Sequence, residues 1–281
     1  MRGALVVHAL SLCACGRLGF EDQPEPPAGV PEVPRYGAPR PIAELNVAGA
    51  RDDDPTATGD LLELYFNSNR SGGPGLQDIY VARRARTTEP WGPAQLVGEL
   101  STADDESNPD VSLDGLTLYF GRRVANSTTG MDIYVSTRAA RDAPWSAAVP
   151  VPELNTAADE FTASPSLDGR ELVVSSNRNG TDQLFLTALD PTLRRFAEPS
   201  LMLEGVDAYL APDGCHLFFH DGDLWVATRP APGQPFGAPE PLTELDSSAL
   251  DTDAWASADL RTFLFASERT GDSDLYEAFA E

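Results

Sequence analysis

Carboxylates are the residues of this chain best placed to do chemistry. Asp105-Glu106 and Asp159-Glu160 are adjacent acid pairs at a recurring place, with Asp52-Asp53 and Asp251 near the corresponding place elsewhere. Two carboxyl groups facing one space can work as acid and base on a glycosidic bond, roughly 6.5–9.5 Å apart for inversion or 5–5.5 Å for retention. Asp53, Asp105, Glu160 and Asp253 are the candidates for such a pair. Gathered around one opening, the same groups would instead concentrate cations and basic partners. The bland alternative is that they are solvated loops in a protein that is acidic throughout. Two aromatics, Tyr209 and Trp255, occupy equivalent positions in neighbouring segments. They could stack against a sugar ring, or pack on each other as a plug.

Other chemistries lack their residues. All 20 basic residues are arginine, which removes Schiff-base catalysis and the usual P-loop, since both need a lysine amine. Past the N-terminal segment only His216 and His220 remain, too few for a multi-histidine zinc centre, and there is no G-x-S-x-G elbow. The pieces Asp251-Thr252-Asp253 and Asp272-Ser273-Asp274 offer oxygen ligands without the spacing of a calcium loop. Calcium is therefore kept as a third reading, and no other cofactor is expected. A formal charge of −24 argues against nucleic acid and anionic lipid headgroups, which need clustered cations.

The elements that carry these residues recur. NPDVSLDGLTLYFGRR (108–123), MDIYVSTR (131–138) and APWSAAVPVPELNT (143–156) follow one another in an order that appears five times. Asp60, Asp114, Asp168, Asp213 and Asp259 anchor the copies, at spacings of 54, 54, 45 and 46 residues. Leu118 and Phe120 alternate with Thr117 and Tyr119, the period of a pleated strand. Asp-Gly at 114–115, 168–169 and 213–214 sits where a tight hairpin needs positive φ. Four strands per copy of this length predict a propeller blade. Arg70, Arg178 and Arg269, at strand ends, are expected to brace hairpins against Asp78, Asp182 and Asp274. The aromatics Trp91, Trp145, Phe196 and Phe236 are expected to pack between blades.

The fifth copy stops at Glu281 without a fourth strand, yet YGAPRPIAELN (36–46) closely matches FGAPEPLTELD (236–246) in the fourth. The expected fold is therefore all-β, a five-bladed propeller of four-stranded blades. Its blades span about 48–102, 103–156, 157–206, 207–248 and 249–281 plus 36–47, and the N-terminal strand 36–46 completes the last blade. Closure of this kind removes an open sheet edge.

The recurring SxDG, LYF, SxR and DIY elements, clearest in SPSLDGRELVVSSNRNG (164–180), resemble the TolB-type, WD40-like propeller repeat of bacterial envelope proteins over residues 36–281. Two departures from TolB are visible: five copies where TolB has six blades, and no room for its separate α/β domain. A shared repeat implies fold more strongly than it implies a partner.

At the N-terminus, Arg2 precedes an apolar run from Ala4 to Leu12, as in a short secretory signal over 1–14. Leu12-Cys13-Ala14-Cys15 resembles the bacterial lipobox, and by that resemblance Cys15 carries the lipid. Residues 15–35 read as a Pro/Glu-rich tether. The expected protein is exported, held on the outer-membrane or periplasmic face by its lipid alone, and monomeric. It would be a non-catalytic propeller whose acidic mouth, with Asp105, Glu106, Asp159, Glu160, Asp53 and Asp253, binds an envelope protein or cell-wall polymer bearing basic groups. The alternative is a glycan-binding or glycoside-hydrolysing propeller using Tyr209 and Trp255.

Overall fold

A computed structural model of the chain describes residues 30–281 apart from 126, 128, 191 and 194. The expected signal over 1–14, Cys15 and most of the expected tether lie outside the described residues.

Every described strand belongs to one of five antiparallel sheets. β1 (Arg40–Pro41) precedes the first blade, which holds β2 (Asp52–Ala57), β3 (Glu63–Ser68), β4 (Asp78–Arg83) and β5 (Gln95–Leu96). The second holds β6 (Asp105–Val111), β7 (Thr117–Arg123), β8 (Asp132–Thr137) and β9 (Val149–Pro150). In the third, β10 (Glu160–Pro165), β11 (Glu171–Ser176) and β12 (Gln183–Asp190) are followed by β13 (Arg195–Phe196) and β14 (Ser200–Glu204), both paired with β12. The fourth holds β15 (Val206–Leu210), β16 (His216–His220), β17 (Leu224–Thr228) and β18 (Glu240–Pro241). β19 (Asp251–Ala256), β20 (Thr262–Ser267) and β21 (Asp274–Phe279) make the fifth, and β1 is its outer strand, with Arg40 opposite Glu277 and Pro41 opposite Tyr276. The chain is thus an all-β, five-bladed propeller closed by its N-terminal strand.

The closure has a chemical signature. Three blades stack an arginine over the aromatic that precedes the fourth strand while its Nε donates to a carbonyl of the innermost hairpin. Arg84 does so over Trp91 to Leu61 O (2.8 Å), Arg138 over Trp145 to Gly115 O (2.5 Å) and Arg229 over Phe236 to Gly214 O (2.5 Å). In the last blade the incoming Tyr36 takes this place, its hydroxyl donating to Leu260 O at 2.9 Å. Val33 packs against the same core cluster, so the docked chain begins before Tyr36.

A second arginine set holds blade to blade, and here the expected hairpin braces do not form. Arg70, Arg178 and Arg269 pair with the innermost strand instead, with Asp52 (2.5 Å), Glu160 (3.3 Å) and Asp251 (2.6 Å). Arg122 pairs likewise with Glu106 at 2.9 Å. The same guanidinium in each case donates to a carbonyl of the preceding blade: Leu45, Leu154, Leu245 and Leu100 respectively. Each carboxylate also accepts a backbone N–H from that preceding segment: Val47, Thr156, Ser247 and Thr102. The guanidinium can span this distance because it offers several donors in a rigid fork. We call this the seam latch. The seam between blades three and four has none, because Gly205 stands where the carboxylate would be.

Candidate functional site

The seam latch decides the fate of the acid pairs. Glu106 and Glu160 are fully buried, with oxygens engaged by threonine and arginine, so they hold blades together and do not face a partner. Asp105 and Asp159 stay partly exposed on either side of Arg123, which pairs with Asp159 at 2.8 Å and faces Asp105 across the strand pair. Asp53 turns toward the fifth blade, bonded to Ser273 and to Arg51 at 3.0 Å. Burial and the charge of Asp253 push its carboxyl up to about 6. Of the four carboxylates considered for a hydrolytic pair, only Asp253 lines the central cavity. Tyr209 and Trp255 are buried against one another, ring centroids 5.7 Å apart, and so present no open platform to a sugar.

What does converge in the channel is the position six residues before each anchor aspartate. It holds Asp54, Asn108, Thr162, Asp207 and Asp253. Each innermost strand shifts register at or beside this residue. Four of the five adopt left-handed backbone, at φ 56° (Asp54), 54° (Asn108), 49° (Asp207) and 58° (Asp253). Asp and Asn tolerate that region best among residues with a Cβ. The bulge turns these side chains into the channel, whereas the carboxylates two residues earlier in four of the five strands form the latch.

The resulting cluster is compact. Asn108 Nδ2 donates to Asp54 Oδ1 and to Asp207 Oδ1, both at 3.0 Å. His220 Nε2, from the end of β16, lies 3.3 Å from Asp207 Oδ2 and 3.9 Å from Asp253 Oδ1. A cavity of about 40 Å³ beneath is lined by Asp54, Asp110, Thr162, Asp207, Asp253 and Trp255, among others. Burial first, then the charges of Asp253 and Asp207, hold the Asp54 carboxyl well above the ordinary range. Asp207 is also raised, chiefly by burial. Burial alone would lower His220, but the hydrogen bond and charge of Asp207 outweigh it and raise it. Three crowded carboxylates with one imidazole make a site that favours a cation or bound protons.

Asp207, His220 and Asp253 offer ligand atoms within 4.8 Å of one another, enough to hold a metal ion. Of the DxD residues considered as calcium ligands from sequence, Asp253 alone joins this cluster. Asp251 is consumed by Arg269, and Asp272 and Asp274 accept from Gly49 N and Thr270 Oγ1. Sequence reading reached Asp253 but missed Asp54, Asn108, Asp207 and His220. The signal was present, as an Asp or Asn six residues before the anchor in four of five copies.

Fold and cluster together define a propeller with an acidic, cation-favouring channel. No protein-family model and no curated protein sequence matches the chain. Among solved structures it is similar to a GH62 hydrolase in complex with xylotriose, with TM-score 0.58 and 12% identity over 87% of this chain and 96% of that one. A thermostable family-43 glycoside hydrolase matches with TM-score 0.56 and 12% identity, over 83% and 89% of the two chains. The putative TolB from Agrobacterium tumefaciens matches with TM-score 0.49 and 15% identity, over 77% of this chain and 69% of that one. At such identities the likeness is one of fold. No helix among the described residues is long and apolar enough to cross a membrane.

Proposed function

We propose that the protein is a non-catalytic binding propeller, exported and lipid-anchored through Cys15 in the bacterial envelope. Its acidic channel mouth takes a cationic group of a protein or cell-wall partner. The observation that carries this reading is the convergence of Asp54, Asp207 and Asp253 on one space, with His220 beside Asp207 and Asp253. Asp105 and Asp159 extend the acidic rim. Loops from several blades meeting on one rigid face suit a binding role. The test is crosslinked capture from the native envelope by wild type and by the Asp54→Asn, Asp207→Asn, Asp253→Asn triple variant. Capture should fall about tenfold in the variant, and the wild-type complex should weaken with salt. An equally strong, salt-insensitive complex in the variant would count against the proposal.

A second reading is favoured by the ligand geometry at Asp207, His220 and Asp253. An imidazole nitrogen beside carboxylates suits Mn²⁺ or Zn²⁺ better than calcium, whose ligands are oxygens. A metal bound to the folded state alone stabilises it by about 2.7 kcal/mol at a hundredfold excess over Kd. On this reading the melting temperature rises with added metal in wild type and not in His220→Gln. Unchanged melting in metal and in chelator would end it. A glycoside-hydrolysing role would require turnover from a broad glycan panel that is lost in Asp253→Asn.

A further inference from the structure

The five outer blade edges are not alike. β1, β5, β9 and β18 are two residues long, and three of them end in proline: Pro41, Pro150 and Pro241. Each is followed by a turn that buries a leucine and offers its carbonyl to the seam latch. The third blade has a two-residue strand, β13, at its outer edge and adds β14 to the same edge. β14 runs five residues, Ser-Leu-Met-Leu-Glu, without proline, and passes straight through Gly205 into β15. On its inner side Ser200, Leu201, Leu203 and Glu204 pair with Leu186, Phe185, Leu184 and Gln183. No described strand pairs with its outer side. Leu201 is 55% exposed on this edge.

An edge of this kind offers a row of free backbone donors and acceptors to another chain. Proline and short length blunt the other four edges, since proline cannot donate to a ladder. We propose that β14 is a docking edge that takes an extended segment of a protein partner by strand addition, with apolar residues at its centre and Lys or Arg at its ends. The charge on the edge selects that occupant. Asp182, Glu198 and Glu204 are exposed around β14. A second copy would bring another formal charge of −24 to the same place. This surface is separate from the channel, so it stands or falls independently of the channel-mouth reading.

The test is an NMR titration of the full chain with the peptide Lys-Val-Thr-Val-Thr-Val-Lys, capped at both ends. Amide shifts should concentrate at residues 199–206. Binding should weaken about tenfold when alternate peptide amides are N-methylated, when the lysines become glutamates, or in Leu201→Lys. Leu201→Lys changes an exposed side chain and leaves the strand backbone in place, so it should fold. The channel triple variant should bind the peptide like wild type. No shift at β14, or shifts indifferent to N-methylation, would overturn the proposal. So would a dimer that dissociates in Leu201→Lys, because the edge would then belong to a second copy.

Discussion

Replacing Arg178 with alanine should lower the unfolding free energy by about 3–5 kcal/mol, the usual cost of stranding a buried charge. Its partner Glu160 is fully buried and would keep only Thr156 and Ser176 as donors. Leu154 O would lose its donor from the next blade as well. For a chain of this size such a loss lowers the melting temperature by about 10 °C. Removing both charges with Arg178→Met and Glu160→Leu should recover most of the loss, because apolar replacements of similar volume leave nothing buried and unpaired. The contrast is Arg83→Ala. Arg83 is half exposed and pairs with Glu63, which keeps Arg138 at 2.5 Å. That change should cost about 1 kcal/mol or less. Urea midpoints and melting curves of the four proteins decide the matter. Equal, small losses in Arg178→Ala and Arg83→Ala would mean that the latch does not hold the seam.

The second large effect belongs to Asp110, and it depends on pH. Its carboxyl is buried in the channel wall with a hydrogen bond to Ser164, and burial pushes it up to about 7. In the unfolded chain it would titrate near 3.9. Between those values the folded state keeps a proton that the unfolded state has released, so stability falls as pH rises through the window. At about 1.4 kcal/mol per pH unit, the loss approaches roughly 4 kcal/mol above pH 7. Asp110→Asn removes the ionisation while keeping the shape. It should match wild type near pH 4 and exceed it by roughly 2–4 kcal/mol at pH 8. Other groups titrate in the same range, so the readout is the difference between the two proteins across pH. Parallel profiles would show that Asp110 does not carry a raised pKa.

Much of the fold was legible because each blade is a local pattern repeated. Alternation along Leu118 and Phe120, Asp-Gly hairpins and a constant strand order need only a short window to be read. Ring closure was legible too, since β1 repeats the outer strand that the fifth copy lacks. The acid pairs were harder. Adjacent carboxylates such as Asp159 and Glu160 look equivalent in sequence, yet one is partly exposed and the other lies buried in a latch. The arginine partners were misassigned for a related reason. Asp78, Asp182 and Asp274 are near the arginines in sequence, but the guanidinium follows the innermost strand and the preceding blade. Tyr209 and Trp255 left two readings open, and only their mutual packing chose the plug.

By itself, then, the sequence determined the blade, the number of blades and the strand that closes them, because period, turn chemistry and strand order are properties of neighbouring residues. Tertiary structure alone decided which carboxylates serve the fold and which face the channel. That choice depends on a bulge in each innermost strand, which in four of the five carries a left-handed residue. It depends equally on which blade lies alongside. Asp54, Asn108, Asp207 and Asp253 are at least 46 residues apart, and only the closed ring brings them within reach of one another and of His220.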